Sequence, residues 1–195
     1  MIDKQKWVWP LLVFVALVQS AALFKVVYDR DRLLKSGREI TLPTRPVDPR
    51  DIFRGEYVTL GYDISSLRKS TLPSEANFED LRAGAPAYVT LTPDAANGWK
   101  AIRVTADYPG DVAASDIVLQ GRAKSIWRPE NNSDVQLNIR YGIESYFVPE
   151  GTGKALETKV REHKIEAIVA VDASGSAALK GLVVDGERHV DPPLL

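Results

Sequence analysis

The chain has no cysteine, two histidines and a single methionine in 195 residues. Without cysteine there is no disulfide framework, thiolate zinc site, iron–sulfur cluster or thiol nucleophile. Two histidines, His163 and His189, are too few for a histidine-rich metal centre. Charge of one sign is missing as well: 25 Lys and Arg stand against 26 Asp and Glu, a net −1. Non-specific nucleic-acid binding needs a strongly basic surface, and this chain does not supply one. No internal repeat or low-complexity tract is visible. Hydrophobic residues, at 45%, are too abundant and too widely spread for a disordered chain.

What is present is unevenly placed. From Trp7 to Phe24 no residue carries a charge, and with Lys25 snorkelling the apolar stretch reaches Tyr28. At about 1.5 Å per residue that covers roughly 33 Å, enough for a hydrocarbon core of about 30 Å. Trp7, Trp9 and Tyr28 fall at its ends, where amphipathic rings settle at the headgroup level. Pro10 falls in the first turn of this expected span, where a missing N–H costs little. Buried core helices are usually shorter than this. A cleaved signal peptide is the other alternative, because Ser20-Ala21-Ala22 offers small residues where a signal peptidase reads. The run continues past that point through Leu23, Phe24, Val26 and Val27, which favours an uncleaved single-pass anchor. Lys and Arg near the ends favour a cytoplasmic C-terminal side, whereas a short N-terminal tail is the usual form of a signal anchor. The second consideration sets the expectation that the C-terminal domain is periplasmic or otherwise extracytoplasmic.

The organisation expected is therefore a membrane anchor at residues 1–28, a charged connector at 29–37 and a soluble domain at 38–195. The soluble part reads mainly as strands. Ile40, Leu42 and Val47 with Pro43 and Pro46 between them suggest an extended edge segment. Residues 135–148 alternate, with Val135, Leu137, Ile139, Tyr141, Ile143 and Phe147 on one side and Gln136, Asn138, Arg140 and Glu144 on the other, as in one long strand. Residues 116–127 predict its partner. Residues 165–171 and 178–184 predict two more strands, and Asp185-Gly186 a tight hairpin into 187–190. Helical signals are confined to 74–82, capped by Ser74, and to 154–162, where Leu156 and Val160 lie four apart. The fold class is thus mainly β: a transmembrane helix followed by one β-rich sandwich or partly open barrel with one or two short helices.

One segment carries a more specific pattern. Residues 48–65 read DPRDIFRGEYVTLGYDIS, with Arg54-Gly55 turning the chain into a strand from Glu56 to Ile64. Val58, Leu60, Tyr62 and Ile64 share one face of that strand, while Tyr57, Thr59 and Gly61 share the other. As packing alone, this is a central strand with Tyr57 and Tyr62 on opposite sides. The segment also resembles the GDYXXLXY family through Gly55, Glu56, Tyr57, Leu60 and Tyr62, with Glu56 where the family has Asp. The resemblance extends to the Asp48-Pro49-Arg50-Asp51 lead-in and to the Ala177–Gly186 hairpin. It also includes a second motif, Tyr146-Phe147-Val148-Pro149-Glu150-Gly151-Thr152-Gly153. It implies a membrane-anchored bacterial protein, often found together with a multi-spanning membrane protein, and it implies no reaction.

Chemistry elsewhere is sparse. Asp48, Asp51, Glu56 and Asp63 alternate with Arg45, Arg50 and Arg54, the mixture typical of a solvated salt-bridge ledge. They lack the spacing of a calcium loop. Glycines at 151 and 153 could open an anion-holding helix start, but Glu150 opposes phosphate and the rest of a P-loop is missing. No Gly-x-Ser-x-Gly elbow occurs, and no serine between the anchor and Gly55 sits in a signal-peptidase-like context. No catalytic residue, metal ligand or cofactor is assigned. The leading expectation is a structural or protein-interaction module at the cell envelope, working with an integral-membrane partner. Two others stay open: an anchored hydrolase built on the carboxylates of 48–63, and a β domain whose Tyr57, Tyr62, Tyr141 and Tyr146 line a small-ligand pocket.

Overall fold

Lys4–Ser36 forms one uninterrupted helix, α1. The computed structural model describes residues 4–45, 57–72, 78–95, 98–129, 134–148, 156, 158–160, 162 and 164–192. From Trp9 onward α1 is long and apolar enough to cross a membrane, and its apolar stretch has no protein packed against it. Leu11, Phe14, Leu17, Leu23 and Phe24 are all more than half exposed. Pro10 lies inside the helix and not in its first turn, because the helix begins earlier than expected. The N–H that it lacks would have bonded to the carbonyl of Lys6.

The expected connector is helical too. Asp29 to Ser36 continues α1, held by the i,i+4 pairs Lys25–Asp29 and Asp31–Lys35, the latter at 2.8 Å. Lys35 also sits in the last turn, where a cation complements the helix dipole. This extension docks on the β domain: Asp31 is buried, Leu33 and Leu34 are partly buried, and the Arg30 guanidinium donates to the Ala177 carbonyl at 3.3 Å. Gly37 ends the helix, its N–H donating to Leu33 O at 2.9 Å. A Cβ there would stand 2.6 Å from that same oxygen and 3.1 Å from Val171 N, so only glycine lets the helix end lie this close to the sheet.

Two antiparallel sheets follow. The first orders β1 (Arg38–Pro43), β9 (Ile165–Val171), β10 (Ala177–Val184) and β11 (Glu187–Val190) side by side. The Pro-containing β1 is an edge strand as expected, because an edge tolerates a missing ladder donor. Asp185 and Gly186, both at positive φ, make the tight turn between β10 and β11. On the outer face Glu39 of β1 receives Lys180 at 3.1 Å and Arg188, which ties three strands together.

The second sheet runs β3 (Ser66–Arg68), β7 (Gln136–Arg140), β6 (Ile117–Trp127), β4 (Pro86–Asp94) and β5 (Gly98–Thr105). A separate two-stranded ribbon pairs β2 (Tyr57–Thr59) with β8 (Ser145–Phe147). The sheets curl round one core, giving the partly open barrel. Leu42, Leu60, Leu91, Leu119, Leu137, Ile143, Ile165 and Leu182 are fully buried in it. Burial of each such side chain contributes about 1.5–3 kcal/mol. The β9–β10 turn joins the sheets: Asp172 Oδ1 accepts from Ser174 and Ser176 N–H groups, and Gly175 O accepts from Gln120 N at 2.7 Å.

The alternation over 135–148 is not one strand. It breaks between Arg140 and Ser145, where Gly142 takes a φ of 82°. Of the expected helix at 74–82, residues 78–82 are not helical and 73–77 lie outside the described residues. Residues 156 and 158–160 are helical, within the second expected helix.

Candidate functional site

The two motifs meet in the ribbon. Tyr57 pairs with Phe147, Val58 with Tyr146 and Thr59 with Ser145. β2 is thus a strand of a short ribbon and not the central strand that its alternation suggests. The alternation still sets the faces, since Val58, Leu60, Tyr62 and Ile64 are all buried. Tyr57 and Phe147 lie across from one another with ring centroids 6.1 Å apart and planes tilted by 49°. Such cross-strand aromatic pairs stabilise a ribbon too short to persist alone. Phe147 is nevertheless 75% exposed, while Tyr57 is half-buried.

Past the ribbon, a reciprocal clamp locks the chain. The Tyr62 hydroxyl donates to Ile143 O at 2.7 Å, and the Tyr141 hydroxyl donates to Ile64 O, also at 2.7 Å. Leu60 N–H donates to Glu144 O at 2.8 Å between them. The Glu144 carboxylate accepts from the backbone N–H groups of Tyr141 (2.5 Å) and Gly142 (2.9 Å), so it holds the strand break in place. Gly61 bridges to Arg45, which brings the end of β1 into the same assembly. Burial, reinforced by the nearby Glu144 charge, pushes the hydroxyls of Tyr62 and Tyr141 well above the ordinary tyrosine range. They are permanent donors, unsuited to act as bases or nucleophiles. Tyr146 is pushed up to about 12, first by burial and then by its 2.8 Å hydrogen bond to Asp191 and that group's charge.

A cavity of about 180 Å³ opens beside the clamp, where the edge of β1 approaches β5. Leu42, Tyr62, Ile64, Leu67 and Trp99 form its apolar walls, and Asp63 and Lys100 stand at its polar side. Tyr62 is the one member of the four-tyrosine set that lines it. Tyr57, Tyr141 and Tyr146 face other partners, so the four do not converge on one pocket.

Of the expected site residues, Tyr57, Leu60, Tyr62, Tyr146 and Phe147 are brought together. Gly55, Glu56, Pro149, Glu150, Gly151 and Gly153 lie outside the described residues, as do Asp48, Asp51, Arg50, Arg54 and His163. Asp63 is exposed and 4.0 Å from Arg45. Among the described residues, no group of three His, Asp or Glu side chains is placed to hold a metal. Glu144 and Asp191 are site residues that sequence reading does not single out. The signal for Glu144 is Gly142 within a strand pattern, which marks a bulge or turn whose amides need an acceptor.

A β domain carried on one long apolar helix, with a tyrosine-clamped ribbon at one end, is the class that these features define. The model of the GDYXXLXY protein family matches residues 19–182, and the chain belongs to that family. No curated protein and no solved structure matches it.

Proposed function

We propose that the chain is a membrane-anchored structural or protein-interaction module of the cell envelope. In this reading α1 crosses the bilayer once, the β domain stands on the extracytoplasmic side, and an integral-membrane protein is its partner. The observation that carries it is Phe147, a large apolar ring 75% exposed on a ribbon whose other groups are engaged in holding the fold. A large exposed aromatic is what a protein contact uses as an anchor, because burying it on binding removes much apolar area from water. Tethering adds to this by raising the local concentration of a weakly binding domain near a partner in the same membrane.

Copurification of the full chain from mild detergent, with partners identified by mass spectrometry, tests the proposal. An integral-membrane protein is expected to copurify with the unmodified chain and to be lost from Phe147→Ser. Recovery of no membrane partner counts against the reading. A reporter fused at the C-terminus checks the side of the membrane, and activity of a cytoplasmic reporter alone would refute the extracytoplasmic placement. A second reading, a small-ligand-binding β domain, is favoured by the apolar cavity beside Tyr62. Narrowing that cavity with Ala101→Leu should then abolish ligand uptake and leave the copurifying partner in place.

A further inference from the structure

Where α1 leaves its apolar stretch, it and the β domain enclose a groove of about 940 Å³, inside the roughly 300–1,000 Å³ typical of ligand sites. Val26, Asp29, Arg30, Leu33 and Gly37 form one wall, spaced three and four apart and so on one helix face. The opposite wall comes from the 108–118 segment and from the β9–β10 turn. With α1 as a membrane span, this wall starts at the acyl boundary and rises about 16 Å at 1.5 Å per residue. The headgroup layer on one side of a bilayer is about 5–7 Å thick, so the lower part of the groove, at Asp29, Arg30 and Arg32, opens within it. Tyr28, about half exposed, stands at the end of the apolar stretch, where interfacial rings settle, and Tyr108, also about half exposed, lines the groove.

Among the described residues, the arginines of the groove make no ion pair with its aspartates, and the one aspartate that is ion-paired, Asp29, is taken by Lys25 outside it. Arg30, Arg32 and Arg38 line it with Asp29, Asp116 and Asp172. Asp29 is paired with Lys25, Asp172 Oδ1 accepts three hydrogen bonds from its own turn, and Asp116 accepts from Ser115 Oγ. Arg38 donates only to the carbonyls of Ala114, Ser115 and Asp116, and Arg30 to that of Ala177, which are neutral acceptors. Arg32 is exposed. A phosphodiester presents a charged acceptor to exposed Arg32 and adds the negative charge that the carbonyl partner of Arg30 does not supply. Val26, 68% exposed at the mouth of the groove, continues the bare apolar face of α1 along which an acyl chain can lie.

We infer that this groove holds the phosphodiester headgroup of an anionic phospholipid from the bilayer that α1 crosses. The site rests on the reading of α1 as a membrane span. The headgroup closes the gap between helix and sheet, so the lipid stiffens the junction as well as occupying it.

The test uses the full chain, first reconstituted into vesicles of phosphatidylglycerol and phosphatidylcholine and washed at alkaline pH. Release of the chain by the wash overturns the spanning reading and the inference with it. A retained chain is then taken into mild detergent, and native mass spectrometry reads bound lipid with phosphatidylglycerol, phosphatidylcholine or inorganic phosphate as the probe. Selective retention of one phosphatidylglycerol is expected. Arg32→Gln should lower that retention about fivefold, the effect of one basic residue at an anionic surface. Lys124→Gln, an exposed position outside the groove, should leave it unchanged. Because Arg32 is exposed, its variant keeps the fold, which circular dichroism verifies. Equal retention of the two lipids, equal effects of the two variants, or inorganic phosphate bound as firmly as phosphatidylglycerol would each overturn the inference.

Discussion

The two ends of β1 show how differently one β domain can secure its backbone. At Arg38, next to α1, exposed loop carbonyls are gathered by a guanidinium that also lies 5.6 Å over the Trp99 ring. Roughly 20 Å along the strand, beyond Arg45, buried carbonyls are gathered by the hydroxyls of Tyr62 and Tyr141. Arginine has several donors but keeps its charge, so it suits a wet end where that charge stays hydrated or meets an anion. Tyrosine gives one donor without charge, so it can be buried fully at little electrostatic cost. The helix-docked end is therefore held by exposed, charged donors, and the clamp at the motif end by buried, uncharged ones.

The sharpest way to break this comparison is Leu60→Ala. Leu60 is fully buried at the centre of the clamp, and its truncation should cost about 2–5 kcal/mol, read by chemical denaturation of the full chain in detergent. A loss below about 1 kcal/mol would mean that the motif end is not part of the cooperative core. Tyr62→Phe and Tyr141→Phe should each cost about 1–3 kcal/mol, because a buried carbonyl loses its donor. Their double mutant should depart from additivity, since both tie the same two segments. At the other end, Gly37→Val forces a side chain against Leu33 O and should cost a comparable 1–3 kcal/mol, about what overpacking costs. Its signature is local: faster hydrogen exchange at residues 29–37 with unchanged protection of Tyr57–Thr59. Equal loss of protection at both ends would show that they do not open independently.

Smaller effects sharpen the contrast. A tyrosine whose folded pKa is raised binds its proton more tightly in the native state. The stability that Tyr146 contributes is thus fully present below about pH 10 and is lost as pH rises through about 12. Tyr146→Phe should flatten that alkaline decline in a pH series of denaturation midpoints, and an unchanged slope would remove the role given to Asp191. Smallest of all is Phe147→Ser. It should cost about 0.5–1 kcal/mol, the worth of a mostly exposed ring that pairs with Tyr57 across the ribbon, yet remove the copurifying partner. A large loss of stability would turn Phe147 from a contact residue into a structural one.

Much of this was readable in the residues because alternation reports burial directly. Val135, Leu137, Ile139, Tyr141 and Ile143 are all buried as their spacing requires. What alternation does not report is continuity: the buried series runs unbroken across Gly142, although the strand stops there and a side-chain carboxylate replaces the ladder. The helical extension at 29–36 is hidden for another reason. Its charges read as a connector, and only the i,i+4 spacing of Lys25 with Asp29 and Asp31 with Lys35 signals a helix. The tyrosine clamp depends on hydroxyl groups reaching carbonyls some 80 residues away in sequence. Residue spacing within either motif carries no information about that, whereas the pairing of the motifs in space makes it plain.

Because α1 runs without a break from its apolar stretch into the docked turn at Leu33, a membrane span, as proposed for α1, would pass its tilt on to the domain. Membrane helices answer a change in bilayer thickness by tilting. A tilt of about 10° would swing a point ~50 Å along the axis sideways by roughly 9 Å. The aromatic ribbon would then be steered across the membrane surface by the thickness of the lipid beneath it.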